Sequence, residues 1–353
     1  MTRCYCARVP ASDGVSEANP ASLPAFVCPP VVLICFNRVD RVREVIGALR
    51  AVRPQRLLVI ADGPRAHVPD DAALCAEVRG VIDTEIDWPC QIDRRFSDAN
   101  HGVEQTVELG LDWAFGLVDR AIVFEDDCVP DATFFPFAAE LLDRYEHDER
   151  IAMVSGTRFA IDDDAVFGDL SYVFTTFSLT WGWATWRRAW QRHRENFPRD
   201  YVERSGLRGH RPHRVGQTKY THGSLQSWGG HRYFNEVGRA RGHEFGWDSQ
   251  WFRTQALLGN LSVAPAVNMV HNNGFGDDAT HTNSSRLMPL AEPIAFPLVH
   301  PATPALNVVA ERSLEYCLVR TNGRLARTLR KVIPRGRART ALRHAAERVV
   351  RHR

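Results

Sequence analysis

"AIVFEDDCVPDATFF" spans Ala121 to Phe135. Four apolar residues run straight into Glu125, Asp126 and Asp127. A short continuous apolar run fits a strand buried in a parallel sheet. Three adjoining carboxylates at its end repel one another, and burying even one of them unpaired is costly. Either they face water as a polar strand end or a cation holds them.

The flanking sequence repeats the pattern. "VVLICF" (31–36), "RLLVIADG" (56–63), "CQIDRRF" (90–96) and "IAMVSG" (151–156) read as further strands. Between them lie helical segments. Val42, Val45, Ile46 and Leu49 share one helical face, with Asp40 as the expected N-cap, and Val103, Val107, Leu111 and Ala114 share another. "DAALCAEVRGVI" and "DATFFPFAAELLDRYEHD" supply two more helices. Strands alternating with helices predict an α/β fold with a mostly parallel, doubly wound sheet. Beyond about residue 156 the alternation fades: residues 171–190 are dense in aromatics and 196–242 are polar, basic and Gly-rich. That stretch is expected to form long loops over a site.

The chain has 353 residues and a formal net charge of +2, which hides an asymmetry. Residues 320–353 hold twelve Lys or Arg against the single acid Glu347, leaving 32 basic and 41 acidic residues before them. The eight cysteines are scattered and form no CxxC pair. Together with the length this argues for reduced thiols and a reducing compartment. No signal peptide and no run of about 20 apolar residues is evident, so a soluble or peripheral protein is expected.

In an open parallel sheet, ligands bind beyond the C-terminal ends of the strands. Asn37 and Arg38 follow the first strand, Asp62 and Gly63 the second, and the three acids the fourth; Asn100, His101 and Gly102 open the helix before it. Each has a plain alternative: a turn, a helix start, an N-cap, a helix-capping acid. Together they map to one rim. A hard cation such as Mn²⁺ or Mg²⁺ binds through one or two carboxylates plus phosphates. Asp127 is the expected metal ligand. Asp126 would reach a sugar or ribose hydroxyl or a metal-bound water, and Glu125 would support the geometry. Neither GxxxxGK[ST] nor a GxGxxG after the first strand occurs.

In the order of these motifs the chain resembles nucleotide-sugar transferases of the GT-A fold. It is similar to bacterial family-2-like sugar transferases and to the inverting N-acetylglucosaminyltransferase I group. The resemblance covers roughly residues 30–282 and departs from the second group in the basic 196–242 insert. It implies a donor site of Asn37, Arg38, Asp62, Asn100, Gly102, Glu125 and Asp126, with Arg38 and Asp62 at the positions that hold the nucleotide base, expected to be uridine. "TWGWATWRRAW" (180–190) matches a Gly-Trp segment, and "FGWDSQW" (245–251) a Trp-Asp motif whose Asp248 is the expected catalytic base. An inverting transfer needs such a carboxylate to take the acceptor's proton. Trp247 and Trp251 would partly desolvate it. Alternatively they are core rings and Asp248 an exposed helix residue. Trp181, Trp183 and Trp247 could stack on the acceptor sugar or belong to the core.

"NMVHNNGFGDDATHT" (268–282) offers His271 and His281 to the metal or the diphosphate, with Gly274 and Gly276 allowing close approach; His281 is taken as the second metal ligand. The expected organisation is a disordered segment over 1–28, a nucleotide-sugar-binding half over 29–156, an acceptor and catalytic half over 157–290, a connector over 291–318 and a basic amphipathic tail over 319–353. The tail places Leu325, Leu329 and Val332 on one face, suiting an anionic membrane surface. Nucleic acid is not expected, since no aromatic residues interleave the charges. The expectation is a cytoplasmic enzyme, peripheral on the inner face of the plasma membrane, acting on a glycan or lipid-linked acceptor. Rival readings are a metal-dependent phosphohydrolase or nuclease, with Asp277 and Asp278 supplying a second metal, and a non-catalytic sugar-binding relative.

Overall fold

The computed structural model describes residues 23–159, 161, 164–196, 246–274 and 289–314. The alternating pattern becomes β1 (Val31–Cys35), α1 (Val39–Arg50), β2 (Arg56–Ala61), α2 (Asp71–Glu85), β3 (Gln91–Phe96), α3 (Val103–Leu117), β4 (Arg120–Glu125), β5 (Cys128–Pro130), α4 (Phe134–Arg144) and β6 (Ile151–Ser155). There follow β7 (Tyr172–Thr175), β8 (Trp183–Trp186), α5 (Arg187–Asn196), α6 (Trp247–Leu258), β9 (Leu261–Pro265), β10 (Val270–Asn272) and α7 (Val308–Leu314).

Eight strands form one sheet in the order β3-β2-β1-β4-β8-β6-β9-β7. β1/β2, β1/β4, β2/β3 and β6/β9 are parallel, whereas β4/β8, β6/β8 and β7/β9 are antiparallel. The α/β expectation with a mostly parallel sheet holds. Every residue of β1 is buried because helices cover both faces. Val31, Leu33 and Cys35 join one core with α1, α2 and α4, while Val32 and Ile34 join the opposite core with α3, α5 and α6. The two-residue period of the strand thus divides one apolar run between two cores.

Details differ from expectation. Asp40 lies in the first turn of α1, and the N-cap position is Arg38. Val103 is 47% exposed; Gly110 instead sits where a Cβ would be 2.6 Å from Ile60, so α3 packs closely on β2. The aromatic segment is not a loop cover. Trp183–Trp186 is a buried strand wedged between β4 and β6, with Ala184 opposite both Ile122 and Val154. One sheet therefore runs through residues on both sides of 156. The cysteines at 28, 35, 75, 90 and 128 are free. Among the described residues no helix is long and apolar enough to cross a membrane.

Outside the main sheet, β5 and β10 pair antiparallel, setting Val270 against Pro130, His271 against Val129 and Asn272 against Cys128. This ribbon brings the segment after β10 onto the turn that holds the acids. Gly182 takes φ +66° and lies where a Cβ would be 2.6 Å from Val270, so glycine is required both by backbone and by space. The insert 197–245, His281, Asp277, Asp278 and the basic tail lie outside the described residues.

Candidate active site

β4 runs parallel to β1, with Glu125 opposite Ile34. Asp126 and Asp127 form the turn into β5, so all three acids stand at the C-terminal ends of β1 and β4. Asp126 is buried; its Oδ2 accepts a hydrogen bond from the Phe36 amide at 3.3 Å. One nitrogen of Arg38, Nη1, lies 3.2 Å from Asp126 Oδ1 and 3.0 Å from Asp127 Oδ2. Burial is the main force pushing Asp126 up to about 6; Asp127 adds to it, while Arg38 and the Phe36 amide oppose it. Half-buried Glu125 is raised well above the usual carboxylate range by burial, then by Asp127, Asp126 and Asp248, with Arg38 in partial opposition.

Asp248 is therefore close enough to Glu125 for their charges to interact, although 123 positions separate them in the chain. It stands exposed in the first turn of α6, its Oδ1 accepting from the Ser249 amide at 2.7 Å. Glu104, from the first turn of α3, accepts from the Trp247 amide and pins the start of α6. An acid suits that position because the leading amides of a helix are unpaired and electropositive. The expected desolvation of Asp248 by Trp247 and Trp251 is not found. Both indoles are buried on the core side: Trp247 lies 6.0 Å from Trp183 and Trp251 5.4 Å from it, ring centre to ring centre. Trp183 and Trp247 are thus core rings, which corrects their reading as acceptor platforms. Trp181 is half-buried, edge-on to Phe159 at 5.3 Å.

The other rim residues work mainly as clamps. Asp62 is buried and accepts four hydrogen bonds of 2.9–3.0 Å, from the amides of Gly63, His101 and Gly102 and from Asn100 Nδ2. Four donors match the lone-pair capacity of an ionised carboxylate. Its work is to tie the loop before α3 to the end of β2, not to read a base directly. Gly102, at φ +78°, lets the chain turn into α3. Asn37 donates from Nδ2 to Asp71 at 2.8 Å. Asp71 is also gripped by Arg65, whose side-chain hydrogen bonds hold it well below the usual carboxylate range. Arg65 in turn lies over the Phe36 ring at 5.3 Å.

The residue-level reading missed Asn272. Its Nδ2 reaches Asp127 Oδ1 at 3.4 Å, and the Asn273 amide donates to the Asp127 carbonyl at 2.7 Å. His271, one residue earlier on the strand, points to the other side and meets the Pro289 carbonyl at 3.2 Å, so it does not complete a sphere around Asp127. Cys128 donates to Asp127 Oδ1 at 3.5 Å; burial, with the nearby acids, raises its thiol far above the usual range, so it stays protonated.

Among the described residues no three His, Cys, Asp or Glu side chains gather as a ready-made metal cage. The donor set still fits a hard cation of the kind that shares its sphere with phosphate and water and needs one or two carboxylates. Asp126 and Asp127 stand side by side with Arg38 paired to both, and Glu125 feels the charges of Asp126, Asp127 and Asp248. Among the described residues, the contacts of Asp127 Oδ1 are long ones, to Asn272 at 3.4 Å and Cys128 at 3.5 Å.

No family model matches the chain. No curated protein matches it either. Solved structures share part of its course. S. aureus TarS (residues 1–349) aligns at 11% identity and a TM-score of 0.33, over 48% of this chain and 49% of that one. A putative glucose-1-phosphate thymidylyltransferase from Bacillus anthracis aligns at 12% identity and 0.31, over 47% and 75%. HddC from Yersinia pseudotuberculosis aligns at 8% and 0.28, over 49% and 81%. The chain spans about half the length of the TarS chain it matches. Likenesses at this level carry no weight for function, which rests on the site itself.

Proposed function

We propose that this protein is a divalent-metal-dependent, inverting glycosyltransferase. Its donor is a nucleoside diphosphate sugar, with uridine as the base, and its acceptor a glycan or lipid-linked hydroxyl in bacterial surface polysaccharide synthesis. The observation that carries the reading is the acidic turn of Glu125, Asp126 and Asp127 at the C-terminal ends of β1 and β4, with Asp248 near enough to Glu125 for their charges to interact. A carboxylate exposed to an acceptor, beside acids suited to a cation, is the division of labour that sugar transfer from a diphosphate requires.

Asp127 would hold Mn²⁺ or Mg²⁺, with Asp126 beside it; when bound, the ion neutralises the charge that builds on the departing diphosphate. Arg38, beside both acids, would meet the same diphosphate. The loop that Asp62 clamps and the Asn37–Asp71–Arg65 cluster form the wall beside Phe36 against which the nucleoside would rest. Asp248 takes the proton from the acceptor hydroxyl as its oxygen attacks the anomeric carbon. The bond from that carbon to the diphosphate oxygen breaks, and the configuration inverts. Basic residues 320–353 would hold the enzyme at an anionic membrane surface where a lipid-linked acceptor is presented.

Thermal-shift measurement with a panel of nucleoside diphosphate sugars, with and without Mn²⁺, tests the donor class. Stabilisation is expected only with both present. The anomeric configuration of the product, read by NMR, tests inversion. No stabilisation by any sugar nucleotide would remove the reading.

A further inference from the structure

We propose that Glu104 is a positioning residue for Asp248: it caps the helix that carries the base and ties that helix to the donor rim. This rests on the transferase reading above.

α6 begins at Trp247, directly after Gly246. Glycine has no side chain with which to cap a helix, and the leading amides of a helix are left unpaired. The cap comes from across the fold. Glu104, 143 positions earlier, accepts from the Trp247 amide. A carboxylate also suits the electropositive start of a helix. The Trp247 indole is held separately, stacked on Trp183 at 6.0 Å in the core that includes Val107 and Leu111 of α3. The residue before Asp248 is thus fixed at both backbone and ring.

Glu104 is itself anchored from the donor side. It follows Gly102 by two residues, and Asp62 holds the amides of His101 and Gly102 at 2.9 and 3.0 Å. The first turn of α3 thereby joins the end of β2 to the start of α6. A general base must stand within hydrogen-bond reach of the acceptor hydroxyl while that oxygen faces the anomeric carbon. A misplacement of about 1 Å can cost ~10²-fold in rate. Glu104 acts on the rate through the place it gives Asp248.

A double-mutant cycle tests this on full-length protein with Mn²⁺. Uridine diphosphate-glucose and uridine diphosphate-N-acetylglucosamine are the donor probes, water is the acceptor and released uridine diphosphate the readout. Glu104→Ala is expected to lower kcat ~10–100-fold while donor KM stays within about twofold. In an Asp248→Asn background the same change should cost less than about twofold, because the carboxylate it positions is already gone. Glu104→Gln keeps an oxygen that can accept from the Trp247 amide and should recover most of the loss. Glu104→Asp, one methylene short of that amide, should fall between and carries the test if Glu104→Ala does not fold. Equal losses in both backgrounds would make Glu104 a general structural prop, and an unchanged kcat would make its cap irrelevant to turnover; either overturns the proposal and leaves the transferase reading standing. If wild type releases uridine diphosphate from neither probe, or Asp248→Asn is as fast as wild type, the reading of Asp248 fails and takes the proposal with it.

Discussion

Gly274 lies against Asp127 so closely that a Cβ on the glycine would stand 2.2 Å from Asp127 Oδ2. The segment after β10 therefore forms one wall of the acidic turn, fixed by Asn272 on Oδ1 and by the Asn273 amide on the Asp127 carbonyl. Gly274→Ala must displace either the loop or the carboxylate. The expected result is a folded protein whose Mn²⁺-assisted binding of uridine diphosphate is ~10–100-fold weaker, the range found when groups that orient a metal ligand are disturbed. Titration calorimetry checks this, and unchanged affinity would mean that the loop is free to yield.

Removing the ligand itself should do more. Asp127→Ala is expected to abolish the metal-dependent part of nucleotide binding, and EDTA should do the same to wild type. Full donor affinity in EDTA would show that no ion takes part.

The sequence spoke clearly for some of this and not for the rest. β1, β2, β4 and β6 are continuous apolar runs, and burial on both faces of a parallel sheet leaves that mark on a chain. β8 left no such mark. Its "WATW" reads as aromatic density, and what makes it a central strand is the arrival of β4 and β6 on either side. The rim acids could be placed from strand ends alone, but not their tasks. Asp62 is saturated by a loop some 40 residues away, and Asn272 meets Asp127 across 145 positions. Trp183 and Trp247 have the residue type of a sugar platform, and only their mutual stacking assigns them to the core.

Asp248 stands in solvent on a helix start that Glu104 pins, with its neighbours facing inward. Changing it should disturb neither the core nor the donor. Asp248→Asn is expected to bind nucleotide sugar within about twofold of wild type while kcat falls ~10²–10⁴-fold, the usual cost of losing a general base. Donor affinity falling in step with turnover would place Asp248 in donor binding or in structure.

His193 gives a pH prediction independent of the site. It is buried on α5, facing Thr254 at 2.9 Å and the rings of Trp190 and Trp251, and burial, with Arg194 adding, lowers it from 6.5 to about 3; Asp112 opposes. Between those values the unfolded chain holds a proton at this residue and the folded chain does not. Stability contributed by neutral His193 is therefore complete above pH 6.5 and declines as pH falls towards 3, by roughly 1.4 kcal/mol per unit in mid-window. The raised Asp126 works in the opposite sense, since it is lost as pH rises through about 6. Comparing wild type with His193→Gln isolates the histidine. Denaturant unfolding between pH 6 and 4 should show a shallower loss of stability in the variant, and identical slopes would refute the assignment.

The basic tail can be tested only if the cut respects α7. This short helix is part of the fold. Ala310 and Leu314 pack with Val173, Phe252 and Ala264, and buried Glu311 accepts from Thr175 Oγ1 at 2.7 Å, the Thr176 amide at 2.9 Å and the Thr176 hydroxyl. Ending the chain near residue 304 would strip Leu314 from the core and remove the carboxylate to which Thr175 and Thr176 donate, a loss of roughly 4–6 kcal/mol from one buried leucine and the lost charge-assisted hydrogen bonds. Ending it at residue 318 keeps these contacts and removes all twelve basic residues of 320–353. The first protein is expected to unfold at a clearly lower temperature than wild type. The second should match wild type in melting and in donor binding, yet lose flotation with anionic liposomes. Each basic residue near such a surface contributes about 1 kcal/mol, fading beyond a Debye length, so flotation of the full chain should weaken with salt. Activity on a lipid-linked acceptor should fall with the tail while activity on a soluble acceptor stays. Full-length protein that ignores anionic liposomes at low salt would turn the tail from a membrane contact into a protein contact.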